Sequence, residues 1–88
     1  MTSVFIIGAG SFGTALAQVW SKTLDVTIYG NNNKVIYEIN NKKTNEKYLS
    51  GIKLHKNIVA TNNLSEVKQS KIIILAIPSY AVKEVLKN

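Results

Sequence analysis

Three glycines spaced Gly8-x-Gly10-x-x-Gly13 follow the apolar run Val4-Phe5-Ile6-Ile7 directly. A strand that breaks at such a turn and continues as a helix leaves the first helical N–H groups without internal acceptors, at the positive end of the helix dipole. That arrangement can hold a diphosphate, and in a strand–turn–helix context it is the footprint of a dinucleotide site. Each glycine has its own reason. Gly8 ends the strand in a conformation that a Cβ forbids. Gly10 leaves room for the diphosphate to approach the main chain, and Gly13 lets the helix pack tightly on the strand. Ser11 and Phe12 contribute N–H groups, and the Ser11 hydroxyl adds a donor. The chemistry implied is binding of NAD or NADP. The Ala-rich, amphipathic run from Thr14 to Trp20 supplies the context that separates the motif from a chance Gly-rich turn.

The ribose end of such a site usually carries an Asp or Glu about 20 residues past the turn. Here the segment reads Ile28-Tyr29-Gly30-Asn31-Asn32, with neither an acid nor an Arg for a 2′-phosphate. Asn31 or Asn32 can hydrogen-bond either form of the ribose, and Lys34 can meet a phosphate as a point charge. The same asparagines suit helix capping. The residues leave the choice between NAD and NADP open.

The elements that must position these groups alternate. Strand one spans about Ser3 to Ile7, and a helix runs from Ser11 to about Lys22 with Ala15, Leu16, Val19 and Trp20 on its inward stripe. A second strand covers Asp25 to Tyr29. A second helix covers Lys34 to Asn41, with Val35, Ile36 and Ile39 inward. Residues 42–57 are polar, Lys-rich and aperiodic, and read as a loop with a local turn at Tyr48-Leu49-Ser50-Gly51. Ile58 to Ala60 is a short third strand, and Asn63 and Ser65 start a brief helix over Leu64 to Lys68. Lys71 to Ile77 is a continuous apolar fourth strand, the pattern expected when helices cover both faces of a parallel sheet. Pro78 stops it, and a helix over Ser79 to Lys87 follows, with Asn88 as its C-terminal cap.

This alternation predicts an α/β fold: a Rossmann-type parallel sheet of strand order 3-2-1-4 with flanking helices, truncated after strand four. The ligand crevice then lies between strands one and four, with the Gly-rich turn and Pro78-Ser79 at its mouth. Pro78 and Ser79 are candidates for one wall near a nicotinamide; they serve equally as a strand stop and helix start. A complete dinucleotide fold needs about six strands. Residues 1–88 therefore read as the N-terminal part of a longer domain whose fourth strand presents an open apolar edge.

Composition bounds the alternatives. The chain has 88 residues, room for one small domain that buries about 60–65% of its unfolded surface. It carries no cysteine and one histidine, His55, which reads as a solvated loop residue; disulfides and metal centres are not expected. The net charge of +6 comes from eleven lysines against five acidic residues, with no arginine. Because the lysines are scattered, a nucleic-acid surface is not expected, while the positive field favours anionic metabolites. The N-terminus lacks a signal-peptide pattern and no apolar run is long enough to span a bilayer, so a cytoplasmic protein is expected.

Several segments together resemble bacterial NAD(P)-dependent glycerol-3-phosphate dehydrogenases. Gly8 to Ala17, Gly-Ala-Gly-Ser-Phe-Gly-Thr-Ala-Leu-Ala, looks like that family's dinucleotide motif, and Ile28-Tyr29-Gly30 resembles its second strand. Asn45 to Leu54 is similar to its Tyr-Leu-Pro-Gly loop. Ile58 to Leu64, Ala76 to Ser79 and Val85-Leu86 continue the match in order. The resemblance implies an oxidoreductase that interconverts glycerol 3-phosphate and dihydroxyacetone phosphate in glycerophospholipid synthesis. By matching position it implies that Ser11, Phe12, Asn31 and Tyr48 contact the cofactor.

Phe12 stands where Trp or Tyr is usual, and Ser50 where Pro is usual. Asn31 stands in place of a commoner basic or His residue, which weakens the case for NADP. Tyr48 suits a second role, as an aromatic anchor for its loop. The family's substrate and catalytic lysines belong to later regions, so no catalytic residue is assigned to this chain and turnover by it alone is not expected. The expected partners are the dinucleotide and a small phosphorylated substrate, and a homodimer is one assembly left open. Another dehydrogenase of the same superfamily fits less well, because of the Ser-Phe-Gly-Thr-Ala-Leu-Ala and Tyr-Leu-Ser-Gly runs. A non-enzymatic nucleotide-sensing module is the alternative from outside enzymology; such modules usually carry an acid after strand two.

Overall fold

The computed structural model describes residues 3–76. In chain order the elements are β1 (Ser3–Ile7), α1 (Ser11–Trp20), β2 (Asp25–Tyr29), α2 (Asn33–Lys42), β3 (Ile58–Thr61), a 3-10 turn (Leu64–Gln69) and β4 (Ile72–Leu75). The four strands form one sheet in the order β3-β2-β1-β4, as the alternation predicts. All pairings are parallel: Ser3 to Ile7 lie beside Asp25 to Tyr29, Val4 to Ile7 beside Ile72 to Leu75, and Val26 to Tyr29 beside Ile58 to Thr61. The chain steps outward from β1 to β3 and then crosses back to β4. That reversal makes the β1/β4 crevice the topological switch point.

The core follows from the two-residue period of the strands. Val4, Ile6, Val26, Ile28, Ile58 and Ala60 share one cluster with Ala17 of α1 and Val35 and Ile39 of α2. Phe5 and Ile7 are buried too, and Phe5 stacks on Tyr29 with ring centroids 6.4 Å apart.

Several details differ from the sequence reading. Helix α1 ends at Trp20 rather than Lys22; Ser21 caps it, its N–H bonding Ala17 and its hydroxyl donating to the Gln18 carbonyl. The buried face of α1 is Gly13, Thr14 and Ala17, flanked by the partly buried Leu16 and Trp20, and Val19 is 63% exposed. At Gly13 the neighbouring Gly8 carbonyl leaves no room for a side chain.

Helix α2 extends over Asn33–Lys42 and stops at Lys43, whose backbone is left-handed (φ 56°). The Lys43 ammonium donates to the Ile58 carbonyl at 2.7 Å, and the Asn40 carboxamide bonds both the N–H and the carbonyl of Ala60. The far edge of β3 is thereby tied to α2. Strand β3 runs one residue further than expected, to Thr61, and β4 is shorter at both ends.

The fourth strand's apolar run leads one to expect burial on both faces. Instead Ile72, Ile73 and Leu75 are 42–51% exposed. His55 is half-buried rather than solvated: its Nδ1 accepts the Asn57 N–H, and its own N–H donates to the Gln18 carboxamide. The expected Ser79–Lys87 helix and its Asn88 cap lie outside the described residues. Among the described residues, no helix is long and apolar enough to cross a membrane.

Candidate functional site

The C-terminal ends of the parallel strands meet along one edge of the sheet, and the Gly-rich turn sits at its centre. The Gly8 N–H donates to the Tyr29 carbonyl (2.9 Å), the Gly30 N–H to Thr61 (3.0 Å) and the Ala76 N–H to Ile7 (2.8 Å). These bonds align the exits of β1, β2, β3 and β4. Gly8 turns the chain with φ 127°, a region closed to side chains. A Cβ on Gly13 would overlap the Gly8 carbonyl oxygen and lie 3.4 Å from the Ala76 Cβ, so only glycine lets α1 close on the turn. Gly30 is less constrained: a Cβ there would lie 3.0 Å from the Ala9 Cβ, a tight contact that a small shift relieves.

Gly10 is different. It has extended geometry (φ −81°, ψ −165°) and precedes α1 as its N-cap, without a side chain to satisfy the helix. A Cβ built on it meets no atom of the described residues within 4 Å, so among them the space beside Gly10 is open. The first bond into the helix is from the Thr14 N–H to the Gly10 carbonyl (3.0 Å). The N–H groups of Ser11, Phe12 and Gly13 accordingly have no acceptor among the described residues. No acidic side chain lies in the first turn to offset the helix dipole. Ser11 is exposed, and Phe12 is 65% exposed. Uncommitted donors, a positive dipole end and open space beside Gly10 are what a diphosphate requires, so these residues fit a dinucleotide cofactor.

The remaining residues singled out from the sequence fall in three places. Asn31 and Asn32 follow β2 on the same sheet edge. Asn31 is exposed, and its side chain bonds nothing among the described residues. Asn32 caps α2, its Oδ1 accepting from the N–H groups of Lys34 (3.0 Å) and Val35 (3.4 Å), which leaves its Nδ2 for any ribose contact. Tyr48 lies in the loop after α2, partly buried against the core, with the Lys47 ammonium 5.4 Å from its ring centroid. Pro78 and Ser79 lie outside the described residues; Ala76, bonded to Ile7, is the nearest described point to them.

Sequence reasoning missed Asn45 and Thr14. Both are fully buried, and they connect the loop to the turn: Asn45 Nδ2 donates to the Ala9 carbonyl (3.0 Å) and to the Thr14 hydroxyl (2.9 Å). The available signal was the Asn45-x-x-Tyr48-Leu49-x-Gly51 spacing itself. Glu38 was missed as well. Its carboxylate accepts from the Thr44 hydroxyl (2.7 Å) and the Glu46 N–H (2.9 Å), fastening the start of the same loop. The Thr44 hydroxyl, then the Glu46 N–H, with Lys42 nearby, hold the Glu38 carboxyl below the usual value of 4.5.

A parallel sheet ordered 3-2-1-4, with a Gly-rich turn feeding a helix at the switch point, defines the N-terminal half of a dinucleotide-binding α/β fold. Comparison with known proteins narrows that class. The family described as NAD-dependent glycerol-3-phosphate dehydrogenase N-terminus matches residues 3–88, and the chain belongs to it. The chain is 47% identical over 88 residues to the glycerol-3-phosphate dehydrogenase [NAD(P)+] of Bacillus licheniformis, with 98% of this chain and 25% of that protein aligned. It is 43% identical over 86 residues to the enzyme of the same name from Rickettsia bellii, covering 97% of this chain and 27% of the relative. Among solved structures, the glycerol-3-phosphate dehydrogenase of Coxiella burnetii superposes with a TM-score of 0.87 at 29% identity, over 97% of this chain and 27% of that one. The chain thus spans about a quarter of the length of the curated relatives it matches.

Proposed function

We propose that this chain is the cofactor-binding part of an NAD(P)-dependent glycerol-3-phosphate dehydrogenase. It is the N-terminal portion of a Rossmann domain that acts together with further strands and a C-terminal catalytic domain in a longer polypeptide. The observation that carries this reading is the set of N–H groups at Ser11, Phe12 and Gly13 with no acceptor among the described residues, next to the open space at Gly10, within a chain matched to that family over residues 3–88.

In this reading Gly8, Gly10 and Gly13 shape the turn, and the N–H groups of Ser11, Phe12 and Gly13 hold the diphosphate. Asn31 and the free Nδ2 of Asn32 hydrogen-bond the adenosine ribose. Phe12 and Tyr48 offer aromatic surfaces to the bound cofactor, and Pro78 and Ser79 form a wall near its nicotinamide. The bound dinucleotide supplies the hydride exchanged with the carbon that is a carbonyl in dihydroxyacetone phosphate and a carbinol in glycerol 3-phosphate. No residue of this chain is assigned the accompanying proton. The whole protein would work in the cytoplasm, feed glycerophospholipid synthesis and assemble as a homodimer.

The test is reduction of dihydroxyacetone phosphate by the full-length polypeptide, followed as loss of NADH or NADPH absorbance, together with calorimetric titration of each cofactor. Saturable turnover with either cofactor is expected. Cofactor binding without turnover on this substrate would favour the nucleotide-sensing module, and no heat at millimolar cofactor with folded protein would remove the dinucleotide reading altogether.

A further inference from the structure

Asn45 is separated from Ala9 by 36 positions, yet its carboxamide is buried against the Gly-rich turn. The Ala9 carbonyl can only accept, so Nδ2 must be the atom that faces it. The same Nδ2 donates to the Thr14 hydroxyl, which in turn donates to the Ala9 carbonyl at 3.4 Å. Turn, helix and loop therefore meet in one triangle of hydrogen bonds. On the loop side, the Asn45 carbonyl accepts the N–H groups of Tyr48 (3.2 Å) and Leu49 (2.7 Å). Tyr48 is thus held to the turn through a single residue. The Asn45 Oδ1, in contrast, is buried with no hydrogen-bond partner among the described residues. An unsatisfied buried acceptor is destabilising, and a position that needed only to be filled would be better served by an apolar side chain.

We propose that Asn45 is a positioning residue for cofactor binding. Its carboxamide locks the Tyr48 loop to Ala9 and Thr14, so that the phosphate-binding turn and the loop form one preorganised surface. A loop already fixed before the cofactor arrives spares binding the cost of ordering it. The inference rests on the reading of the turn and Tyr48 as cofactor contacts.

The test is a double-mutant cycle in the full-length polypeptide, with the NADH dissociation constant read by fluorescence titration. Asn45→Ala and Tyr48→Ala are each expected to weaken binding about tenfold, equivalent to about 1.4 kcal/mol. The double variant should be no more than about twofold weaker than either single, because an unlocked loop no longer holds Tyr48 in place. Strictly additive losses, about a hundredfold in the double variant, would overturn the proposal. A role in folding alone would reduce the number of binding sites while leaving the dissociation constant of the folded molecules unchanged, and that result would overturn it as well.

Should Asn45→Ala fail to fold, Thr14→Val removes the hydroxyl with little change of shape. It should weaken NADH binding several-fold, with Thr14→Ser recovering most of the loss; equal affinities for the two would count against the lock. Absence of NADH binding by the unmodified protein would instead refute the dinucleotide reading on which the inference rests.

Discussion

Gly10 and Gly13 lie three residues apart in the same turn, and alanine should have opposite consequences at the two. At Gly13 the added methyl would overlap the Gly8 carbonyl oxygen and crowd its carbon at 3.1 Å, so backbone would have to move. Overpacking of this kind costs about 3 kcal/mol, and the better helix propensity of Ala returns about 1 kcal/mol. The net loss of about 2 kcal/mol lowers the melting temperature of a domain this size by about 8–16 °C. At Gly10 the backbone is extended and the methyl meets nothing among the described residues within 4 Å. The entropy gained by restricting the unfolded chain roughly offsets the poorer capping by Ala, and stability stays within about 0.5 kcal/mol of the parent.

The methyl on Gly10 nevertheless occupies the space proposed for the diphosphate, so NADH affinity should fall by about tenfold or more, at least about 1.4 kcal/mol. The assay is thermal and urea denaturation of both variants, followed by NADH titration of Gly10→Ala. The reasoning is refuted if Gly13→Ala melts with the parent, or if Gly10→Ala binds NADH as the parent does.

Other outcomes follow from the same contacts. Asn32→Ala removes the side chain that accepts two N–H groups of α2 and should cost about 1 kcal/mol in urea denaturation; Asn32→Ser should recover most of it. Glu38 contributes to acid stability with a definite sign. Its carboxyl lies below its usual value in the folded state, so its contribution is present above that value and is lost as pH falls from about 4.5 through the folded pKa. Glu38→Gln should flatten this part of the stability-against-pH profile, and an unchanged profile between neutral pH and pH 3 would contradict the assignment.

Much of this fold was legible because apolar runs and glycines act locally. Val4 to Ile7 could be placed as a buried strand, and Gly8, Gly10 and Gly13 as its exit, from sterics alone. The parallel order followed from the alternation of strand and helix. What went astray depended on distance rather than periodicity. Val19 looks like part of the inward face of α1 by hydrophobicity but is exposed, while Leu16 and Trp20 do pack against the core. The buried positions of α1 are Gly13, Thr14 and Ala17, and at Gly13 the Gly8 carbonyl leaves no room for a side chain, a contact only the packing reveals.

Asn45 looked like one more polar residue in a Lys-rich loop. Its burial depends on Ala9 and Thr14, remote in sequence, and the only mark of it in the sequence is the spacing of Asn45 from Tyr48, Leu49 and Gly51. Asn32 shows a third kind of ambiguity, since the chemistry that suits a ribose also suits a helix cap, and its Oδ1 serves the cap.

The most direct measurement is an amide-resolved NMR titration of the protein with NADH. The largest shifts should fall on the amides of Gly10, Ser11, Phe12 and Gly13, with saturation at a common dissociation constant. Saturable NADH binding that leaves those four amides unmoved would contradict this placement of the cofactor.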